Sequence, residues 1–169
     1  NLIARAYGVS GNFQDALDFY HKSAELRKEI NDPAISWTWI GMANVYEKMP
    51  NPELAEKFYR LALETGIDDK RLQVIAHHGL GNVFSNTPPP GKAIEHLLKA
   101  LDIAIIIHLK PMQYQIHESL ADVYEKAGNS NKALEHFKKF FSLRQEVFNT
   151  ESNQRIRQLQ SAFEIEKAQ

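Results

Sequence analysis

The chain carries histidine at positions 21, 77, 78, 96, 108, 117 and 136, and imidazole is both a common metal ligand and the side chain best suited to moving protons near neutral pH. A zinc site needs several such ligands at set spacings, as in H-E-x-x-H on one face of a helix, and no such element occurs. Cysteine is absent, which excludes a disulfide framework, a thiolate metal site and a cysteine nucleophile together. His77 and His117 occupy equivalent places 40 residues apart, as do His96 and His136, so these four mark positions of a repeating pattern rather than a cluster. His21 and His108 fall in helical stretches with no cluster around them. The serine of "GVSGN" lacks the strand before it that a nucleophile elbow requires, and "GLGNVF" lacks the Lys-Ser/Thr ending of a phosphate-cradling loop. These residues predict a segment without metal, cofactor or catalytic group, in which His78 stands out for a different reason given below.

What positions these side chains is set first by the totals. Lys and Arg number 20 against 21 Asp and Glu, so there is no bulk positive field for a phosphate backbone, and direct nucleic-acid binding is not expected. The longest apolar run, "ALDIAIIIHL", contains Asp102 and His108 and is well short of the ~20 residues that cross a bilayer. The chain starts at Asn1 and shows no basic segment followed by an apolar one, which predicts a piece of a longer chain without a signal peptide here. Together with the missing cysteines this suits a reducing cytoplasm.

Self-comparison shows a period near forty. The aromatics Tyr7, Tyr46, Phe84 and Tyr124 recur at intervals of 39, 38 and 40 residues. Three residues before each lies a small one: Ala4, Ala43, Gly81 or Ala121. Nine after each lies Ala16, Ala55, Ala93 or Ala133, and thirteen after each a bulky one, Tyr20, Tyr59, Leu97 or Phe137. Small residues let two antiparallel helices approach, and large ones fill the space beside the contact, so each unit reads as a helical hairpin. A breaker four residues past each aromatic (Gly11, Pro50, Pro88, Gly128) sets the turn. The prolines of "FSNTPPPGKAIEH" therefore read as a stiff turn and helix start rather than as a proline-rich ligand. First helices are expected near 1–9, 34–48, 69–84 and 111–127, and second helices near 13–30, 52–65, 91–108 and 130–148.

This pattern resembles the tetratricopeptide repeat family across residues 2 to about 148, with a period longer than that family's usual 34. The resemblance implies an all-α fold: an α-solenoid of four antiparallel helical hairpins, about 1–33, 34–68, 69–110 and 111–148, wound as a right-handed superhelix and followed by a C-terminal capping or linker helix at 149–169. The long form is similar to repeat arrays of bacterial sensor and regulatory proteins, peptide-sensing transcription regulators and cargo or polarity adaptors. The family's tryptophan of the first helix appears only as Trp39, with His77 and His117 in its place elsewhere.

Residues two and six places before each repeat aromatic lie a turn apart on one helix face. The nearer set is Arg5, Asn44, Asn82 and Asp122, and the farther set is Ile40, His78 and Glu118, with Lys48 and Asn86 just beyond the aromatics. The resemblance places this stripe in a peptide-binding groove, where Asn44 and Asn82 would hold a ligand's main chain through amides that both donate and accept. A clamp for a terminal carboxylate wants Lys or Arg where Ile40, His78 and Glu118 stand, so a chaperone-tail clamp is not expected. The expected partner is a protein or extended peptide, with Arg5 and Lys48 as anchors for an acidic group.

Past Phe148 the apolar residues Ile156, Leu159, Phe163 and Ile165 fit a helical stripe too short to name a coiled coil. The helix they form is where a homo-oligomer would assemble. Two functional readings follow: the sensory or regulatory region of a larger signalling protein, which the run from "SLRQEVFN" into "RIRQLQSAFEIEK" resembles, and a stand-alone scaffold for assembling complexes.

Overall fold

The structure, a computed structural model, describes the backbone of residues 2–167 and the side chains of residues 2–161. Phe163 and Ile165 thus lie outside the described side chains. Eight helices follow one another: α1 (Leu2–Ser10), α2 (Phe13–Glu29), α3 (Ile35–Lys48), α4 (Pro52–Thr65), α5 (Lys70–Phe84), α6 (Gly91–Ile106), α7 (Lys110–Lys126) and α8 (Ser130–Lys167), with no strand among the described residues. Each odd helix packs on the even one after it, and each even helix packs on the next odd one. The odd helices also touch in series, α1 to α3 to α5 to α7, whereas among the described residues the backbones of the even helices stay apart from one another. A layer whose members touch lies inside one whose members splay, so α1, α3, α5 and α7 line the concave side. None of the described helices is long and apolar enough to cross a membrane.

The turns show why the breakers sit where they do. In hairpins one, two and four, the N–H five residues past the repeat aromatic returns to that aromatic's carbonyl: Asn12 to Tyr7 at 3.0 Å, Asn51 to Tyr46 at 2.9 Å and Asn129 to Tyr124 at 2.8 Å. This closure satisfies a helix-end carbonyl and passes through a left-handed residue, which Gly11 (φ +86°) and Gly128 (φ +72°) supply without a Cβ penalty. The matching donor in hairpin three would be Pro89, which has no N–H. That turn closes instead from Thr87 to the Phe84 carbonyl at 3.0 Å, and α6 begins after Pro90.

Between hairpins, the small-against-large rule is literal. A Cβ on Gly41 would sit 2.3 Å from the Tyr20 ring, and one on Gly79 would sit 2.2 Å from the Tyr59 ring. These tyrosines are the thirteenth-place residues of hairpins one and two, and with Leu97 of hairpin three they are 4%, 1% and 0% exposed. The second helices of hairpins one and two thus drive their large side chains into the first helix that follows, whereas Leu97 lies against Gly81 of its own hairpin, where a Cβ would come 2.5 Å from it.

Helix starts are fixed by side chains. Asn51 Oδ1 accepts from Leu54 N–H at 3.1 Å, and Asp69 Oδ1 accepts from Leu72 N–H at 3.0 Å while its other oxygen accepts from the Trp37 indole at 3.0 Å. Asn51→Ala is expected to cost about 1 kcal/mol, as N-cap truncations do. Asp69→Ala should exceed it, since it also unties α3 from α5, and Asp69→Asn should recover only part of the loss, because its single amide oxygen can keep one of the two bonds and its NH2 cannot accept the other. Urea unfolding of the three variants checks this order.

The fourth hairpin departs from expectation. Its second helix does not end near 148 before a separate helix: α8 runs unbroken for 38 residues. No glycine or proline follows Gly128, so nothing in the chain interrupts the helix. Nor does its distal half fold back as a cap, because Ile156 and Leu159 are 52% and 64% exposed.

Candidate functional site

The first helices enclose a cavity of about 850 Å³ on the concave side, walled by α1, α3 and α5. Four residues of the expected groove meet there: Arg5 from α1, and Ile40, Asn44 and Lys48 from α3. Leu2 and Val9 on α1, Trp37 on α3 and Ile75 on α5 make the rest of its lining largely apolar. Trp37 and Ile75 each lie nine residues before a repeat aromatic, one turn beyond the stripe read from the sequence. Extending that stripe from two and six places to nine would have found both.

The polar groups of the cavity are tied to the core beneath. Tyr59 OH lies 2.6 Å from Asn44 Oδ1 and 2.6 Å from Glu47 Oε2. A phenol has one proton to give and a carboxylate can only accept, so the Asn44 amide is the group that adapts. Turned over, it donates its NH2 to the phenol oxygen and presents its carbonyl to the cavity. Burial first, then the charge and hydrogen bond of Glu47, raise the Tyr59 pKa far above its ordinary value, so the phenol keeps its proton. Lys48 Nζ reaches back 3.4 Å to the Gly8 carbonyl, where a cation suits the end of α1. Its repeat counterpart Lys126 likewise reaches back, to Asn86 Oδ1 at 2.7 Å.

The remaining groove residues take different tasks. Ser119 on α7 donates to Asn82 Oδ1 at 3.0 Å and lies 2.9 Å from His78 Nε2. With the hydroxyl proton spent on Asn82, His78 must donate through Nε2–H, and burial keeps it neutral by lowering its pKa to about 4. Asn44 and Asn82 are therefore sequence equivalents with unequal roles: the first faces the cavity and the second joins α5 to α7. Glu118 and Asp122 are exposed on α7, outside this cavity.

Four other histidines form two matching pairs. His77 and His96 face each other with their Nδ1 atoms 3.0 Å apart, and His117 and His136 do so at 2.8 Å. Phe84 stacks on His96 and Tyr124 on His136, at centroid distances of 5.7 and 5.4 Å. The second hairpin fills the same three places with Trp39, Phe58 and Tyr46, which stack at 5.7 and 5.5 Å. The imidazoles thus replace aromatic rings in a packed stack and exchange a ring contact for an N–H···N bond. Burial, then the facing imidazole, then a nearby lysine lower the pKa of His77 and of His117 to about 4, and burial lowers those of His96 and His136. Among the described residues, no three His, Asp or Glu side chains come together as a metal site would require.

Residues 1–68 match a family model described as Tetratricopeptide repeat, and residues 114–146 match a second model of the same description. No curated protein matches the chain. Among solved structures, the crystal structure of BtubC (BKLC) from P. vanneervenii superposes with a TM-score of 0.75 over 86% of this chain at 22% sequence identity. The alignment spans 62% of that protein's length, and at this identity the likeness concerns the fold.

Proposed function

Since this chain belongs to the tetratricopeptide repeat family, we propose that it binds an extended protein segment in the cavity between α1, α3 and α5. The observation that carries this reading is the lining itself. Leu2, Val9, Trp37, Ile40 and Ile75 offer an apolar seat for one bulky side chain, while Asn44 supplies a main-chain partner. Arg5 on α1 and Lys48 on α3 line the same cavity, so an acidic residue beside the apolar one is the fitting neighbour. His78, Asn82 and Asn86 support the wall rather than grip the ligand, and Glu118 and Asp122 would meet only a segment long enough to continue along α7.

The regulatory reading of the chain rests on α8. A single helix that begins inside the fourth hairpin and projects well beyond it converts any tilt of that hairpin into movement of its far half. A static scaffold needs no such change.

Selection of a phage-displayed random peptide library on the full chain tests the site. Enriched peptides should pair a large apolar residue with a nearby Asp or Glu, and an Arg5→Glu/Asn44→Ala variant should bind them at least tenfold more weakly, about 1.4 kcal/mol. Equal binding to that variant, with its helicity intact, would remove the cavity from consideration. Hydrogen exchange along α8 that is identical with and without peptide would favour the scaffold.

A further inference from the structure

In hairpins one to three the thirteenth-place side chains Tyr20, Tyr59 and Leu97 are buried, whereas their counterpart Phe137 on α8 is 54% exposed. The exposure continues along one stripe of the helix: Phe141 61%, Phe148 66%, Ile156 52% and Leu159 64%. At 100° per residue these five positions fall within about a quarter turn of one another. They extend for roughly 34 Å along the helix. In the earlier hairpins the covering element is the next first helix, which runs antiparallel to the second helix it covers.

We infer that α8 pairs antiparallel with α8 of a second copy of this chain, about a two-fold axis at Phe148. The stripe is complementary to its own reverse. With Phe148 on the axis, Phe137 of one copy meets Leu159 of the other, Phe141 comes opposite Arg155 and one place from Ile156, and Arg144 comes opposite Ser152 and one place from Glu151, each contact occurring twice as two-fold symmetry requires. The parallel alternative sets Arg144, Glu151 and Arg155 against themselves and brings both four-hairpin bodies to the same end. The antiparallel pair keeps the bodies apart and lays each projecting half over the partner's open hairpin face. Ten large apolar side chains, each more than half exposed in the single chain, cover on the order of 1,000 Å², the scale of a specific interface.

Sedimentation and light scattering on the full chain across micromolar concentrations should report twice the 19.4 kDa monomer mass. Phe148→Asp, at an exposed site that leaves the body intact by circular dichroism, should raise the dimer dissociation constant at least tenfold. Arg144→Glu should weaken the dimer, and adding Glu151→Arg to it should restore it. The absence of native cysteine permits a direct reading of direction. An oxidised mixture of Phe137→Cys and Leu159→Cys chains should yield the mixed disulfide, while self-crosslinked Phe137→Cys would mean parallel pairing and overturn the inference. A monomer at every concentration, or a dimer indifferent to Phe148→Asp, would overturn it as well.

Discussion

Gly79→Val should destabilise the protein by about 3 kcal/mol, a large share of what holds a domain of this size together. The new Cβ would overlap the Tyr59 ring at 2.2 Å, and that ring has nowhere to go: it is 1% exposed and its hydroxyl is held by Asn44 and Glu47. The chain contains its own remedy. At the equivalent places of the next interface stand Leu97 and Ser119, a smaller ring-free side chain before a residue that has a Cβ. Tyr59→Leu combined with Gly79→Ser copies that pair and should regain more than half of the loss. Gly91→Ala, where an added Cβ meets nothing within 4 Å, serves as the control and should change stability by less than about 0.5 kcal/mol. Urea unfolding of the three variants gives the comparison, and equal losses at Gly79 and Gly91 would contradict the packing argument.

Mild acid should produce the other large effect. His77, His78 and His117 have folded-state pKa values of about 4, against an ordinary value near 6.5. A base whose pKa is depressed by folding takes up protons more readily when unfolded. Its contribution is therefore fully present above about pH 6.5 and is lost as pH falls toward 4. By pH 5 each should have given up roughly 1 kcal/mol once solvent screening is discounted for the half-buried His77 and His78. The melting temperature should thus drop between pH 7 and 5, above the range in which ordinary carboxylates titrate. Replacing one pair by His77→Trp/His96→Phe, the residues that the second hairpin holds as Trp39 and Phe58, should flatten that drop by about a third. An unchanged pH profile in this variant would show that the stack is not its source.

The small and large offsets around Tyr7, Tyr46, Phe84 and Tyr124 made the hairpins legible because close packing demands those sizes at those places. Helices α1 to α7 accordingly begin and end within two residues of their expected bounds. The boundary near 148 was a different case: the repeat length suggested an end there, but a helix stops only where a residue stops it, and none does. The site was legible in part. Periodicity tells which face a residue occupies, and Arg5, Ile40, Asn44 and Lys48 do line one cavity. It does not tell what a neighbouring repeat offers in return. Ser119 stands where hairpins two and three carry Gly41 and Gly79, and its hydroxyl engages His78 and Asn82, so two positions that read as groove residues are fastenings. The two histidine pairs escaped notice as pairs because their members sit 19 residues apart on opposite helices of a hairpin.

The cavity's α1 wall is joined to its α3 wall by Lys48, whose Nζ reaches the Gly8 carbonyl at 3.4 Å. These walls belong to successive hairpins, so a guest that touches α3 alone would leave the seam between them to Lys48, whereas one that also reaches Arg5 or Val9 would rivet the first hairpin to the second. Length of the visitor, more than its grip at any single point, would then decide how far the array stiffens around it.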